Sequence, residues 1–112
     1  MAKVTRGDAI EAATTALGNL QDNELVASGV RTSLDWLATA HPGRSVELRV
    51  PPLRAVQILG GTTHRRGTPP AVVEMSPKTW LEVFTKKLTW ADALSSGQVI
   101  ASGERSDLSE LF

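Results

Sequence analysis

Cysteine and tyrosine are absent from this 112-residue sequence, and histidine occurs only at positions 41 and 64. The absence of cysteine excludes disulfides, thiolate catalysis and cysteine-ligated metals. Two histidines without a His-x-x-x-His spacing leave a metal site short of ligands. No apolar run is longer than three residues, far below the ~20 residues that a membrane-spanning helix needs. Stable membrane insertion is therefore not expected.

Residues 1–10 contain no apolar stretch of the kind that a signal peptide needs. Hydrophobic residues make up 41% of the sequence and charged residues 21%, which is typical of a soluble globular protein. We expect a single cytoplasmic domain over residues 1–112, made of a helical pair (1–43) followed by a sheet and further helices (44–112).

The formal net charge is zero, but the charges are unevenly distributed. Residues 44–73 hold five arginines and one glutamate, a net charge of +4, whereas residues 1–43 and 74–112 each carry −2. A neutral chain offers nucleic acid little electrostatic attraction. Trp36, Trp80 and Trp90 also fall in predicted helices rather than on a surface where bases would stack. Nucleic acid is therefore not an expected partner.

Residues 1–43 are predicted to form two antiparallel helices. Asp8 is the candidate N-cap of the first helix, with Glu11 as its capping-box partner. The second helix is expected to begin at Asp22 or Asn23 and to end at His41-Pro42-Gly43. Each helix carries an apolar stripe at three- and four-residue steps, made of Ile10, Ala13, Leu17 and Leu20 in the first and of Val26, Val30, Leu34 and Leu37 in the second.

Alternation of apolar and polar residues from Ser45 onward predicts strands. Val46, Leu48 and Val50 share one face of the first strand, which ends at Pro51-Pro52. Further strands are predicted at 53–59, 71–75 and 98–102. Because the strands are clustered rather than alternating with helices, we expect an α+β fold with helices on one face of a mostly antiparallel sheet.

Two helices and a half-helix are predicted after residue 75. Ser76-Pro77 combines a side-chain cap with proline at the first helical position. Thr89 with Asp92 begins a second, short helix, and Gly97 is its expected left-handed stop. Ser106 is the candidate cap of the half-helix near residue 112.

Several segments follow one another in the order typical of a known family. They are the strand at 72–75, the helix with Trp80 and Leu81, the turn Lys87-Leu88-Thr89 and the Gly-flanked strand at 97–103. In these the chain resembles the C-terminal half of the sterol carrier protein type 2 family. Residues 49–57, 66–70 and 88–93 resemble more closely an actinobacterial branch, usually called sterol carrier family proteins. The resemblance implies a five-stranded sheet layered with helices and a hydrophobic cargo.

The sequence departs from that family in two places. Lys86 stands where the family has the glycine before Lys-Leu, so this turn is not expected to depend on the positive φ that glycine permits. In addition, two helices precede the first strand, whereas the eukaryotic carriers have one.

A pool of large apolar residues is the candidate lining of a lipid cavity. An enclosed acyl chain of about ten methylenes would gain ~8 kcal/mol before ordering costs. The alternative is a filled core, because a domain of 112 residues needs its large apolar residues for packing. The predicted half-helix with Leu108, Leu111 and Phe112 would therefore either cover a cavity or form part of the core. The candidate lining residues are Trp80, Phe84, Leu88, Trp90, Leu94, Ile100, Leu108, Leu111 and Phe112.

The predicted loop at 60–70 contains His64, Arg65 and Arg66 among glycines and threonines. Guanidinium groups together with exposed backbone N–H groups can bind the carboxylate or phosphate of a lipid headgroup. Arg49 and Arg54 would extend this basic patch. The alternative is that the loop arginines bond loop carbonyls or Glu74 and simply fix a long turn.

Enzymatic motifs are missing from the sequence. It contains no Gly-x-Ser-x-Gly elbow and no Gly-rich phosphate loop. The resemblance extends to one enzyme, mycothiol-dependent maleylpyruvate isomerase, which has a sterol-carrier-like domain. In that enzyme the domain accompanies a metal-binding helical domain. Residues 1–112 contain no counterpart of the helical domain. We therefore expect no catalytic residues, no metal and no cofactor.

The leading hypothesis is non-enzymatic binding or transfer of a lipid or another hydrophobic small molecule in an apolar cavity. The alternative is a closed-core interaction or accessory domain that acts on a partner enzyme through the Arg65-Arg66 loop. A homodimer formed through an exposed apolar patch also stays open.

Overall fold

The computed structural model describes residues 3–60, 70–103 and 106–112. Helices and strands follow one another in an order close to the predicted one. They are α1 (Arg6–Leu17), α2 (Asn23–Ala40), β1 (Val46–Val50), β2 (Arg54–Ile58), β3 (Ala71–Met75), α3 (Pro77–Phe84), α4 (Trp90–Ser95), β4 (Val99–Ser102) and a 3₁₀ turn at Ser109–Leu111.

α1 begins with a capping box, but not the predicted one. The Thr5 hydroxyl accepts a hydrogen bond from the Asp8 N–H at 3.1 Å, and the Asp8 carboxylate accepts one from the Thr5 N–H at 3.0 Å. Thr5 is therefore the N-cap and Asp8 the third helical residue, so the prediction of a cap at Asp8 with Glu11 as its partner is wrong. The acidic side chain still lies in the first turn, where it interacts favourably with the helix dipole.

The contact between α1 and α2 is built from small residues. Ala9, Ala13 and Ala16 are the buried residues of α1, whereas Leu20, which was predicted to share the apolar stripe, is 39% exposed. A Cβ on Gly29 would lie only 2.6 Å from the Cβ of Ala16. The two helices approach too closely for larger side chains, which explains why alanines rather than leucines fill the interface.

The sheet has the order β2-β1-β3-β4 within the described part of the chain. β1 pairs antiparallel with β2 and parallel with β3, and β3 pairs antiparallel with β4. The fold is α+β, as predicted, but the expected five-stranded, mostly antiparallel sheet is replaced here by a mixed sheet of four strands. The alternating pattern of a strand fixes which face is buried and does not fix the neighbour or its direction, so the sequence did not reveal the parallel pairing.

The predicted alternation in β1 is confirmed. Val46, Leu48 and Val50 are fully buried, whereas Glu47 and Arg49 lie on the other face of the sheet. α2 packs against β2, and α4 packs against β4. One face of the sheet therefore belongs to the core and the other carries charged side chains.

The start signals of α3 and α4 are confirmed. The Ser76 hydroxyl accepts from the Thr79 N–H at 3.2 Å with Pro77 following it, and the Thr89 hydroxyl accepts from the Asp92 N–H at 3.1 Å. Gly97 has the predicted left-handed conformation, with φ of 78°. The last element differs, since it is a single 3₁₀ turn in which the Asp107 carboxylate accepts from the Ser109 N–H at 2.9 Å. Asp107, and not Ser106, therefore supplies the side-chain acceptor.

The turn after α3 contradicts the expectation for Lys86. Its φ is 64°, in the left-handed region, although this position holds lysine and the family that the chain resembles has glycine there. The Lys86 N–H donates to the Val83 carbonyl at 3.1 Å, and the Lys87 N–H donates to the Glu82 carbonyl at 2.9 Å. These bonds close the end of the helix and hold the lysine in a conformation that glycine would adopt at lower cost.

Candidate functional site

All five aromatic residues of the chain lie in one continuous series of ring contacts, which we call the aromatic cluster. α2, α3, α4 and the segment 106–112 each contribute to it. The centroid distances are 6.0 Å for Trp36–Phe84, 5.2 Å for Phe84–Trp80, 5.7 Å for Trp80–Phe112 and 6.2 Å for Phe112–Trp90. Each distance falls in the range in which aromatic rings attract one another.

Trp80 is the centre of the cluster and is fully buried. Its indole N–H donates to the Ser33 hydroxyl of α2 at 2.8 Å. The same hydroxyl donates to the Gly29 carbonyl at 2.7 Å. Both polar groups are thus satisfied inside the core, so the orientation of the Trp80 ring is fixed by a directional bond as well as by packing.

Phe112 contacts two tryptophans of the aromatic cluster, Trp80 and Trp90. Its ring meets Trp80 edge-on, at an interplanar angle of 75°, and lies nearly parallel to Trp90, at 20°. Trp90 is the first residue of α4 and is buried. We call the space between Trp80 and Trp90 that the Phe112 ring fills the Phe112 slot.

The structure brings most of the predicted lining residues together. Trp80, Phe84, Trp90 and Leu108 are buried in one core cluster. Leu88, Leu111 and Phe112 are half-buried and pack against it.

Leu94 and Ile100 do not join this group, because they are 43% and 65% exposed. The inward side of α4 is occupied by Trp90 and Ala93, so Leu94, one position further along the helix, faces outward. Ile100 lies between Val99 and Ala101, which pack on the core, and strand alternation therefore turns it to the opposite face. The structure therefore does not bring Leu94 and Ile100 into the space around Trp80.

Ser33 and Trp36 were not identified from the sequence. A signal for Ser33 was present, because this serine falls among Val30, Leu34 and Leu37, the buried stripe of α2. A hydroxyl in such a stripe needs a hydrogen-bond partner. The sequence did not show which of the three tryptophans would supply it.

The arginines expected to extend a basic patch are each engaged by a carboxylate. Arg49 pairs with Glu47 at 3.1 Å, and the hydrogen bond and charge of Glu47 raise the pKa of Arg49. Arg54 makes a bidentate contact with Asp35, its closest N–O distance being 2.7 Å. In the β1–β2 register Arg54 lies opposite the buried Val50, whereas Arg49 lies opposite Ala55 on the other face. The two guanidinium groups therefore do not form one patch.

The predicted headgroup residues His64, Arg65 and Arg66 lie outside the described residues. Among the residues that are described, no group of three or more His, Asp or Glu side chains is arranged to hold a metal ion. No helix in the described ranges combines the length and the apolar character needed to cross a membrane.

Two surface depressions lie at the α1–α2 end of the molecule. One, of about 550 Å³, is lined by polar residues of the α1–α2 turn, from Asn19 to Glu24. The other, of about 280 Å³, runs between the two helices past Glu11 and Leu25. Neither includes an aromatic side chain, so both are separate from the aromatic cluster.

Comparison with known proteins places this arrangement in a family. Residues 22–112, from the cap of α2 to the Phe112 slot, match the family model described as bacterial SCP ortholog, SCP standing for sterol carrier protein. The chain belongs to the bacterial SCP ortholog family. None of the curated proteins matches the chain.

The match to the bacterial SCP ortholog family includes every element of the aromatic cluster and leaves α1 outside. α1 nevertheless buries three alanines in the core. The part of the chain common to the family therefore holds the candidate site, and α1 packs against both α2 and α3.

Proposed function

We propose that this protein binds or transfers a lipid or another hydrophobic small molecule without catalysing a reaction on it, and that it does so in the cytoplasm. Membership of a family of sterol carrier protein orthologs supports this proposal. The observation that carries it is the aromatic cluster, in which Phe112 of the segment 106–112 contacts both Trp80 and Trp90.

The proposed binding site lies among α3, α4 and that segment. Trp80 and Trp90 form fixed walls, since the first is bonded to Ser33 and the second begins a capped helix. Leu88, Leu111 and Phe112 are half-buried and pack against the core cluster that contains both tryptophans. Outward movement of the segment would expose apolar walls that a hydrophobic molecule could cover, with a gain of about 25 cal/mol per Å² of apolar area removed from water.

The walls provide no catalytic group. The buried polar atoms near the centre, Trp80 Nε1 and Ser33 Oγ, are committed to each other and to a backbone carbonyl. A serine hydroxyl becomes a nucleophile only with an adjacent base, and the partners of Ser33 are an indole and the backbone of α2. We propose a carrier rather than an enzyme on these grounds.

The test is saturable uptake of a conjugated polyene fatty acid whose absorption overlaps tryptophan emission, measured by energy transfer. We expect Leu88→Ala to weaken uptake several-fold, because Leu88 is half-buried against the core cluster that contains Trp80 and Trp90. Leu94→Ala is the matched control and should leave uptake unchanged, since Leu94 lies outside the cluster. Equal effects of the two substitutions would place the bound molecule elsewhere, and a lack of uptake by the unmodified protein would contradict the proposal.

The closed packing of the aromatic cluster favours one alternative, an accessory domain with a filled core. Trp80 and Leu108 are almost completely buried, as expected of core residues. In that case the protein would act on a partner enzyme, with Arg65 and Arg66 as the contact residues. Replacing both arginines with glutamine should then abolish the effect on the partner and leave the uptake of a fatty acid, if any, unaltered.

A further inference from the structure

The Phe112 ring lies between two tryptophans in the two geometries that aromatic pairs favour. It is edge-on to Trp80 and stacked on Trp90. Edge-to-face and offset-stacked rings attract each other beyond the burial of their area, because the positive edge of one ring meets the negative face of the other. The two ring geometries of the Phe112 slot therefore favour a flat aromatic ring over a flexible chain.

The walls of the slot stay in place if Phe112 leaves. Trp80 is held by Ser33 at 2.8 Å and by a stacked contact with Phe84 at 5.2 Å. Trp90 is held in α4, where the hydroxyl of Thr89 caps the helix. Neither wall relies on Phe112 for its hydrogen bonds.

Phe112 itself is held weakly. Leu108 is 1% exposed and anchors the segment, but the 3₁₀ turn that follows buries none of its side chains, and the bond at its start is made by the exposed Asp107 carboxylate with the Ser109 N–H. The Phe112 N–H reaches the Ser109 carbonyl only at 3.4 Å. Rearrangement of this one turn would move the ring out of the slot.

We propose that Phe112 occupies the place of a ligand ring: the molecule bound by this protein carries a planar aromatic ring that displaces Phe112 and inserts between Trp80 and Trp90. This inference rests on the proposed function and names the ligand class. Because Trp80 Nε1 is already committed to Ser33, the Trp80 wall offers an inserted ring aromatic contacts and no free donor. The inserted ring is therefore uncharged and apolar.

The proposal predicts discrimination between two ligands of equal carbon skeleton. 2-Naphthol and decahydro-2-naphthol both bury ten ring carbons, but only the first has the flat π-system that complements both tryptophans. Contacts with two tryptophans should make 2-naphthol bind about tenfold more tightly. Calorimetric titration of the complete chain measures both affinities.

Displacement is followed by ¹⁹F NMR of the complete chain carrying 4-fluorophenylalanine at position 112 only. On addition of 2-naphthol, its resonance should move from a ring-shifted position to that of a solvent-exposed fluorophenyl group. Phe112→Ala should bind 2-naphthol several-fold more tightly, because no ring must be displaced. Leu94→Ala is the matched control and should show no such gain, since Leu94 lies outside the aromatic cluster and the slot stays filled.

The outcomes separate the ligand class from the proposed function. Equal or tighter binding of the saturated compound, or binding of 2-naphthol without a change in the ¹⁹F signal, would overturn the inference. Uptake of the polyene fatty acid with no binding of 2-naphthol would also overturn it, while the carrier function stood. Absence of binding by all three molecules would overturn both.

Discussion

Trp80 Nε1 and Ser33 Oγ, 47 positions apart in the sequence, lie 2.8 Å from each other in the core and join α3 to α2. Since the serine also donates to the Gly29 carbonyl of its own helix, one hydroxyl serves both helices. This bond determines how the centre of the aromatic cluster is oriented.

Replacing Ser33 with alanine should lower the free energy of unfolding by about 1–3 kcal/mol, because the buried indole N–H loses its acceptor. Chemical denaturation of the variant measures the loss. Ser95→Ala is the control, since Ser95 also donates to a carbonyl of its own helix but is exposed, and it should change stability by less than about 0.5 kcal/mol. Similar losses in the two variants would mean that the Trp80–Ser33 bond contributes no more to the free energy of unfolding than an exposed serine bond does.

Lys86→Gly should stabilise the protein by about 0.5–1 kcal/mol. Glycine removes the strain of a side chain at a left-handed backbone position. Part of this gain is offset because glycine raises the conformational entropy of the unfolded chain. The observed φ of 64° is the reason. Lys86→Ala keeps a Cβ and should leave stability nearly unchanged. Thermal melting compares the variants, and a glycine variant that melts below the alanine variant would contradict the assigned conformation.

Gly29→Ala should destabilise the fold by about 1–3 kcal/mol, because a methyl group cannot be accommodated between two packed helices without displacement. Its Cβ would meet Ala16 Cβ at 2.6 Å and the Ala12 carbonyl oxygen at 2.9 Å. Gly18→Ala is the control, because its nearest contact would be 3.6 Å away. A Gly29→Ala protein as stable as the Gly18→Ala protein would show that α1 and α2 pack less closely than described.

We expect Asp107 to make the segment that carries Phe112 respond to acid. Its carboxylate accepts from the Ser109 backbone N–H, and this hydrogen bond lowers the pKa of Asp107. Because this pKa is lowered, the hydrogen bond from Ser109 stabilises the folded segment fully above the ordinary aspartate pKa. That stabilisation is lost as the pH falls through the lowered value. The ¹⁹F signal of fluorophenylalanine at position 112 should therefore change in that acidic range.

Asp107→Asn is the control for this titration, because the amide oxygen can accept the same bond and does not titrate there. The acid-range change in the ¹⁹F signal should disappear in this variant. If the change persists unaltered, other acidic groups control the segment.

Local sequence signals predicted much of the fold. Ser76-Pro77 and Thr89 fixed the starts of two helices, and β3 was predicted with its observed bounds. These features depend on bonds within a few residues or on simple alternation, so they can be read without knowing the tertiary structure. Lys86 shows the opposite case, since its left-handed φ follows from how the chain leaves α3 and not from its side chain.

The candidate site was only partly predictable for a related reason. The four-residue spacing of Trp80 and Phe84 identified the centre of the aromatic cluster. Leu94 and Ile100 were grouped with it on hydrophobicity alone. In the structure, α4 and β4 turn these two side chains away from the core. Trp36 joins the cluster through the packing of α2 on α3, a contact between distant parts of the sequence that no local pattern encodes.

The most direct test of the carrier function is native mass spectrometry of the complete chain purified without denaturation or detergent. We expect a population heavier than the bare chain by the mass of one small hydrophobic molecule, and collisional activation should release that molecule. Addition of the polyene fatty acid should replace it one for one. A chain that is always found bare, and that stays bare after the fatty acid is added, would contradict a carrier function and support a closed-core accessory domain.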